Sequence, residues 1–366
     1  MDRGLRPHQI GGLVFNAVFG VGILTAARSA SDVAGTGAWL SILLAGFLSA
    51  GAAWFAGRVA SLWPGVGLVD GVASLWGPLV ARVLGLAYAL YLLGLASVVL
   101  RIFGEFAGWF LLPQTPLPVI LGTMAAVVAY GARLRVADFA GVSDVLVWLG
   151  LVPAALLLLS AQFGADTVEL LPLFSAGWQG LLAGLGEGVF SYLGFEVILF
   201  YAAYAGDPPS LGRWAAAGVL AAAFFYTGAV LVSLGHFSPA FVAQQTWPLF
   251  NAAGAVEVPL RFIEQPELLV AALWLFAAFS TMLVAFFAGQ LALVTALGLR
   301  SRPILPFALI MPVYALSLVP ADLQSAEEWV GLWSQLGLIL AVGVPLLLWA
   351  TARLRRGWQG PEGRLR

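Results

Sequence analysis

From Val80 to Leu111 the chain is apolar, with charge only at Arg82, Arg101 and Glu105. A helix of about 20 apolar residues is what crosses a bilayer. The same signature recurs in ten segments, at roughly 8–30, 38–61, 80–111, 117–132, 143–163, 179–203, 213–236, 266–298, 303–320 and 330–352. In hydrocarbon every backbone amide and carbonyl must be paired, so each segment reads as a helix. Composition agrees: 61% of residues are hydrophobic, 10% are charged, and the mean hydropathy is +0.96. A soluble domain carries about 25% charge. The expected fold class is an all-α polytopic membrane protein, with residues 1–366 forming a single transmembrane domain.

Arginine sets the expected orientation. All 17 basic residues are Arg. With the N-terminus inside, inner loops and tails hold Arg3, Arg6, Arg58, Arg82, Arg133, Arg135, Arg213, Arg300, Arg302, Arg353, Arg355, Arg356, Arg364 and Arg366. Arg28 and Arg261 fall outside, and Arg101 lies within a span. Both termini are therefore expected in the cytoplasm. Arg3, Arg6, an apolar run and "TAARSA" (25–30) imitate a signal peptide, but the segment is read here as the first membrane helix. No cysteine is present, and net charge is near zero. Thiolate metal sites and a nucleic-acid partner are not expected.

Two spans are interrupted. The first contains "VFNAVFGVGIL" (14–24), with the break at Gly20-Val21-Gly22. The sixth contains "GEGVFSYLGFEV" (186–197), with a break near Ser191-Tyr192-Leu193-Gly194. Glycine weakens a helix interior by about 1 kcal/mol relative to alanine. Breaks five spans apart point to a 5+5 inverted repeat, with residues 8–163 and 179–352 as its halves. Half-helix N-termini suit a carboxylate, and freed carbonyls suit an ammonium or cation. A zwitterionic amino acid matches both. The plainer reading is that these glycines only let helices approach closely. Gly20, Val21, Gly22, Ile23, Ser191, Tyr192, Leu193 and Gly194 are the candidate substrate-binding residues of the breaks.

A set of stretches in this order resembles the B subunit of spore germination receptors, a branch of the amino acid/polyamine/organocation superfamily. They are "NAVFGVGILTAARS" (16–29), "WPG" (63–65), "YLLGLASVVLRIFGEF" (91–106), "LPQTPLPVI" (112–120), "SYLGFEVILF" (191–200), "WPLFNAAG" (247–254) and "FIEQPELLVAALWLFAAFST" (262–281). The resemblance implies a LeuT-like fold of ten helices with helices one and six broken. It further implies a nutrient-sensing role beside an A subunit and a lipoprotein C subunit in the spore inner membrane. Two departures stand out. Gln265-Pro266 separates Glu264 from Glu267 where the family usually has an arginine, and loop 204–212 lacks a basic cluster.

The ionisable groups inside spans are Arg101, Glu105, Glu187 and Glu196. Each costs at least about 2.5–3.5 kcal/mol at the bilayer centre, so each needs a partner or a wet cavity. Arg101 and Glu105 share a helix face and form either a self-neutralised pair or an outer gate. Glu187 is expected at similar depth, able to compete for Arg101. Glu196 matches the family's Gly-x-Glu, and is either a proton or cation site or a cap on freed amides. Tyr91, Leu95 and Ser97 on the third span, and Ser280 and Thr281 on the eighth, flank the broken helices in this superfamily. Their hydroxyls reach substrate or bond back to their own helix. Tyr91 weighs most, because a phenol at that depth needs a partner.

His8 and His236 are too far apart to form a metal site. "GLGEG" (184–188) follows no strand and is not a phosphate loop. Trp39, Trp63, Trp109, Trp178, Trp329 and Trp333 read as interfacial belts. No nucleophile–base constellation is present, so neither an enzyme nor a cofactor is expected. The expected function is binding of a small nutrient, an amino acid above all. An ion-coupled amino acid transporter and a water or ion conduit are the alternatives.

Overall fold

The computed structural model describes residues 4–160, 171–172, 175–255, 266–299 and 303–354. Residues 161–163 of the fifth span, Glu264, Gln265 and several tail arginines lie outside the described residues. Among the described residues all regular structure is helical, apart from one bridge between Leu5 and Ala205. The first span is α1 (Pro7–Val18) and α2 (Gly22–Ala34), and a 3₁₀ turn at Gly35–Gly37 leads into α3 (Ala38–Ala60). There follow α4 (Leu68–Trp76), α5 (Pro78–Phe110), α6 (Leu117–Gly131) and α7 (Val136–Ser160). The sixth span is α8 (Gly177–Ser191), a 3₁₀ turn at Phe195–Val197 and α9 (Ile198–Tyr201). Next come α10 (Leu211–His236), α11 (Pro239–Gln244), α12 (Pro248–Ala255), α13 (Pro266–Leu297) and α14 (Leu305–Ser317). The last predicted span is α15 (Leu323–Leu338), a π turn at Ile339–Gly343 and α16 (Val344–Leu354).

Five helical runs are long and apolar enough to cross a membrane: Gly22–Ala60, Pro78–Phe110, Pro208–His236, Val270–Leu297 and Leu323–Leu354. The pair Gly177–Ser191 and Phe195–Tyr204, bent by 42°, makes a sixth. The protein is thus a multi-pass membrane protein. The fourth and ninth predicted spans, α6 and α14, have 15 and 13 residues. At 1.5 Å per residue these reach only about 20 Å, short of a hydrocarbon layer about 30 Å thick. The loop read between the seventh and eighth spans is not plain coil. It holds α11 and α12, and each opens on a proline whose fixed φ suits the first helical turn.

Small residues let the helices close up. The two most extensive contacts join α3 to α10 and α5 to α13. Along α3 the buried positions include Ala45, Gly46, Ser49, Ala53, Ala56 and Gly57. A Cβ on Gly57 would lie 2.7 Å from Gly212 Cα, so only glycine allows that crossing. At the end of the bent sixth span, the Leu5 amide donates to Tyr204 O at 2.7 Å and Gly206 N donates to Leu5 O at 3.0 Å. The buried Leu5 thereby pins the start of the chain beneath α9.

Candidate functional site

The first break spans Phe19 to Val21, where the helix cannot pair its own carbonyls. Three side chains from two other helices, α10 and α13, replace the missing donors. Thr281 Oγ1 donates to Asn16 O at 2.6 Å, Tyr226 OH to Val18 O at 2.6 Å, and Trp274 Nε1 to Gly20 O at 3.0 Å. Asn16 secures the helix below by donating to Ser143 O and Oγ at 2.9 and 2.7 Å. The glycines are required for space as well as for conformation. A Cβ on Gly20 would collide with Thr281, and one on Gly22 would sit 2.5 Å from the Tyr226 hydroxyl and 2.8 Å from Ser191 O.

The second break meets the first. Gly194 has φ of +119°, and its Cα faces Ala17, where a Cβ would lie 2.7 Å from Ala17 O. Ser191 and Leu193 are half-buried, and Tyr192 is fully buried and donates to Ile42 O at 2.9 Å. Just after the break, Glu196 is fully buried. One carboxylate oxygen accepts from Gly194 N at 2.9 Å and the other from Tyr91 OH at 2.7 Å. Glu196 therefore caps the freed amide and binds helix α5 at the same time. The chain of contacts continues to the last span. Trp333 Nε1 donates to Tyr91 O at 2.9 Å, and Tyr88 OH donates at 2.6 Å to Leu340 O inside the π turn. A π turn leaves carbonyls without the usual helical donor, and Tyr88 serves one of them.

The remaining sequence-predicted residues divide. Thr281, Tyr91, Gly20, Gly22, Ile23, Tyr192 and Gly194 come together around the two breaks, with the half-buried Val21 between Gly20 and Gly22. Ser280 bonds back to Ala277 O at 2.8 Å, the fate of many membrane hydroxyls. Ser97 is buried with no hydrogen-bond partner for its hydroxyl, beside a small void that also touches Arg101, Ser317 and Trp329. Leu95 is half-buried against the core. Arg101 donates to Glu105 at 2.6 Å and approaches Ser317 O at 3.4 Å. This is the self-neutralised pair. Glu187 takes no part in it: it stands exposed on α8. Arg28 and Glu327 form an ion pair at 2.7 Å that joins α2 to α15.

Sequence reasoning missed Tyr226, Trp274 and the Arg28–Glu327 pair. The rule that singled out Tyr91, a buried phenol in need of an acceptor, applies equally to Tyr226 and would have found it. Trp63 and Trp333 also depart from the interfacial belt. Trp63 is buried under Gly71, and Trp333 is packed into Gly94. Among the described residues no group of His, Asp or Glu could hold a metal ion.

A protein-family model described as "Spore germination protein" matches residues 4–325. The chain is 26% identical to Spore germination protein B2 of Bacillus subtilis, over 92% of this chain and 92% of that protein. It is 22% identical to Spore germination protein GerQB of Bacillus cereus, over 97% and 99%. It is 21% identical to Spore germination protein GerLB of Bacillus cereus, over 99% and 97%.

Proposed function

This chain belongs to the spore germination protein family, and from that premise we propose that it is the subunit of a germinant receptor that recognises a small nutrient, an amino acid above all, where its two broken helices meet. Its partners on this reading are an A subunit and a lipoprotein C subunit in the spore inner membrane, with both termini of this chain cytoplasmic. The proposed architecture is a LeuT-like 5+5 inverted repeat of ten spans. Its support is that the two most extensive helix contacts, α3 with α10 and α5 with α13, each join spans five apart in sequence.

The observation that carries the functional reading is the way three side chains hold the carbonyls of the first break. An ammonium group seeking Val18 O or Gly20 O meets the Tyr226 hydroxyl and the Trp274 indole already there. Ligand binding is then an exchange of donors. The released side chains lie on α10 and α13, so the exchange alters contacts between the halves of the bundle. A sensor needs that coupling: a ligand shifts a conformational equilibrium only through differential interactions with its states.

The test is thermal unfolding of the purified chain across a panel of amino acids, since a ligand that binds only the folded state raises stability with its concentration over Kd. One or more amino acids should stabilise the wild type and leave Gly22→Val unchanged. Stabilisation of a folded Gly22→Val to the wild-type extent would refute the site. Glu196 favours a second reading, a proton-coupled permease. Its carboxylate is met by two neutral donors, an arrangement open to a proton. Amino acid uptake into proteoliposomes driven by a proton gradient would establish that reading over the sensor.

A further inference from the structure

Glu187 is unlike the other charges placed within spans. It lies about 15 Å along α8 from Gly177 and about 7 Å before the break at Tyr192, at 1.5 Å per residue. That depth is inside a hydrocarbon layer about 30 Å thick. Arg101 and Glu105 answer each other, and Glu196 is met by Tyr91 and Gly194. Among the described residues Glu187 meets no donor and no cation.

Among the described residues helix α8 is packed on one side only. Leu181, Gly184 and Gly188 are buried, with Gly184 against Ser41 and Gly188 against Ala45. Trp178, Gln179, Leu182, Ala183, Gly186 and Glu187 are exposed. Gln179, Ala183 and Glu187 are spaced by four and share a strip. Nothing lies within 4 Å of a Cβ built on Gly186. The strip is small in the middle and polar at both ends, which lets a second helix approach and bond. The last span, Leu323–Leu354, touches α8 through α15 and is itself little covered. Its most apolar window is 33% buried, against 50–71% for the other four long spans.

We propose that this strip seats a membrane-spanning helix of the receptor's A subunit, and that the helix carries an arginine or lysine opposite Glu187. The inference rests on the reading of this chain as a receptor subunit. An unpaired carboxylate in lipid is costly, and a basic side chain is the partner that removes the cost. A second copy of this chain is the wrong occupant. Across a two-fold axis the same patch faces itself, which would set one Glu187 against another. The chain's own cation within a span, Arg101, is buried on Glu105.

The experiment uses the complete receptor in mild detergent, with an affinity tag on the A subunit and a photo-crosslinking side chain in place of Ala183. Crosslinks should map to one helix of the A subunit, next to a basic residue. Glu187→Lys should cut co-purification with the A subunit about tenfold or more, because attraction becomes like-charge repulsion. Glu187→Gln should cut it less. Changing the mapped basic residue to Glu should restore Glu187→Lys. Normal co-purification of Glu187→Lys, or crosslinks only to lipid or to a second copy of this chain, would overturn the proposal. The isolated Glu187 variants should keep the amino-acid-induced stabilisation of the wild type. Absence of that stabilisation in the wild type would sink the nutrient-binding reading instead, whatever the subunit contact shows.

Discussion

Tyr226→Phe removes one oxygen and leaves the ring in place, so it tests the exchange of donors directly. The hydroxyl donates to Val18 O at 2.6 Å. Hydrogen bonds between membrane helices average about 0.6 kcal/mol and reach about 1.7 kcal/mol. Tyr226, fully buried at the break, falls within that range. The unliganded protein should lose about that much stability. If the ligand takes over Val18 O, the complex has already given up this bond and loses nothing. Affinity for the amino acid should then rise by roughly 3- to 20-fold, the same free energy expressed as a ratio. The assay is tryptophan-fluorescence thermal unfolding of the purified variant, with isothermal titration by the stabilising amino acid. A fall in affinity at unchanged unliganded stability would refute the reasoning, because the hydroxyl would then be a ligand contact and not a latch.

Further expectations concern single groups. Gly22→Ala adds a methyl group 2.5 Å from the Tyr226 hydroxyl and 2.8 Å from Ser191 O; overpacking of this kind costs about 1–3 kcal/mol, so the thermal midpoint should fall and ligand stabilisation should vanish. Gly186→Ala on the open side of α8 should leave both measurements on the isolated chain unchanged. Glu196→Gln keeps an oxygen for the Gly194 amide but no longer exchanges a proton; ligand-induced stabilisation should persist at every pH, and a loss of proton-driven uptake with binding intact would decide for the permease. Asp322 caps α15, accepting from Ser325 N at 2.8 Å. That amide, and then the Ser325 hydroxyl, hold its carboxyl below the usual carboxylate range. Its folded value is thus below its unfolded value, so the cap stabilises above the unfolded pKa and is lost as pH falls through the folded one. Thermal midpoints measured in acid should drop for the wild type through this window, and Asp322→Asn should remove that contribution.

The broken spans were legible because they carry a local signature. The glycines of both breaks sit in apolar runs, and the interruptions fall at 19–21 and 192–194, close to where the sequence places them. Span limits were legible where apolar content and helix end together, as in α6 and α10. They were less so where a helix outruns its apolar window. Helix α7 begins at Val136, upstream of the predicted 143, because its first turns carry Asp138 and Asp144 and fall outside an apolar window. The partners of the break were not legible at all. Which helix lends Tyr226 or Trp274 to a carbonyl more than 200 residues away depends on how α10 and α13 cross the first span, and no local pattern encodes that. Trp333 misled for the same reason: an indole near a span end suggests the interface, yet Gly94 makes a slot for it.

The π turn at Ile339–Gly343 gives the last span a spare residue. An α-helix turns 100° per residue, so a one-residue deletion normally rotates everything beyond it and scrambles the packed face. Here the extra residue is already looped out, with Tyr88 holding Leu340 O. Shortening the turn by one would restore regular winding and leave the faces of α15 and α16 in register, so Trp333 would keep its place on Tyr91. The Trp333–Tyr91–Glu196 line is thus insulated from a one-residue change in the length of the last span, which the stretch from 339 to 343 takes up.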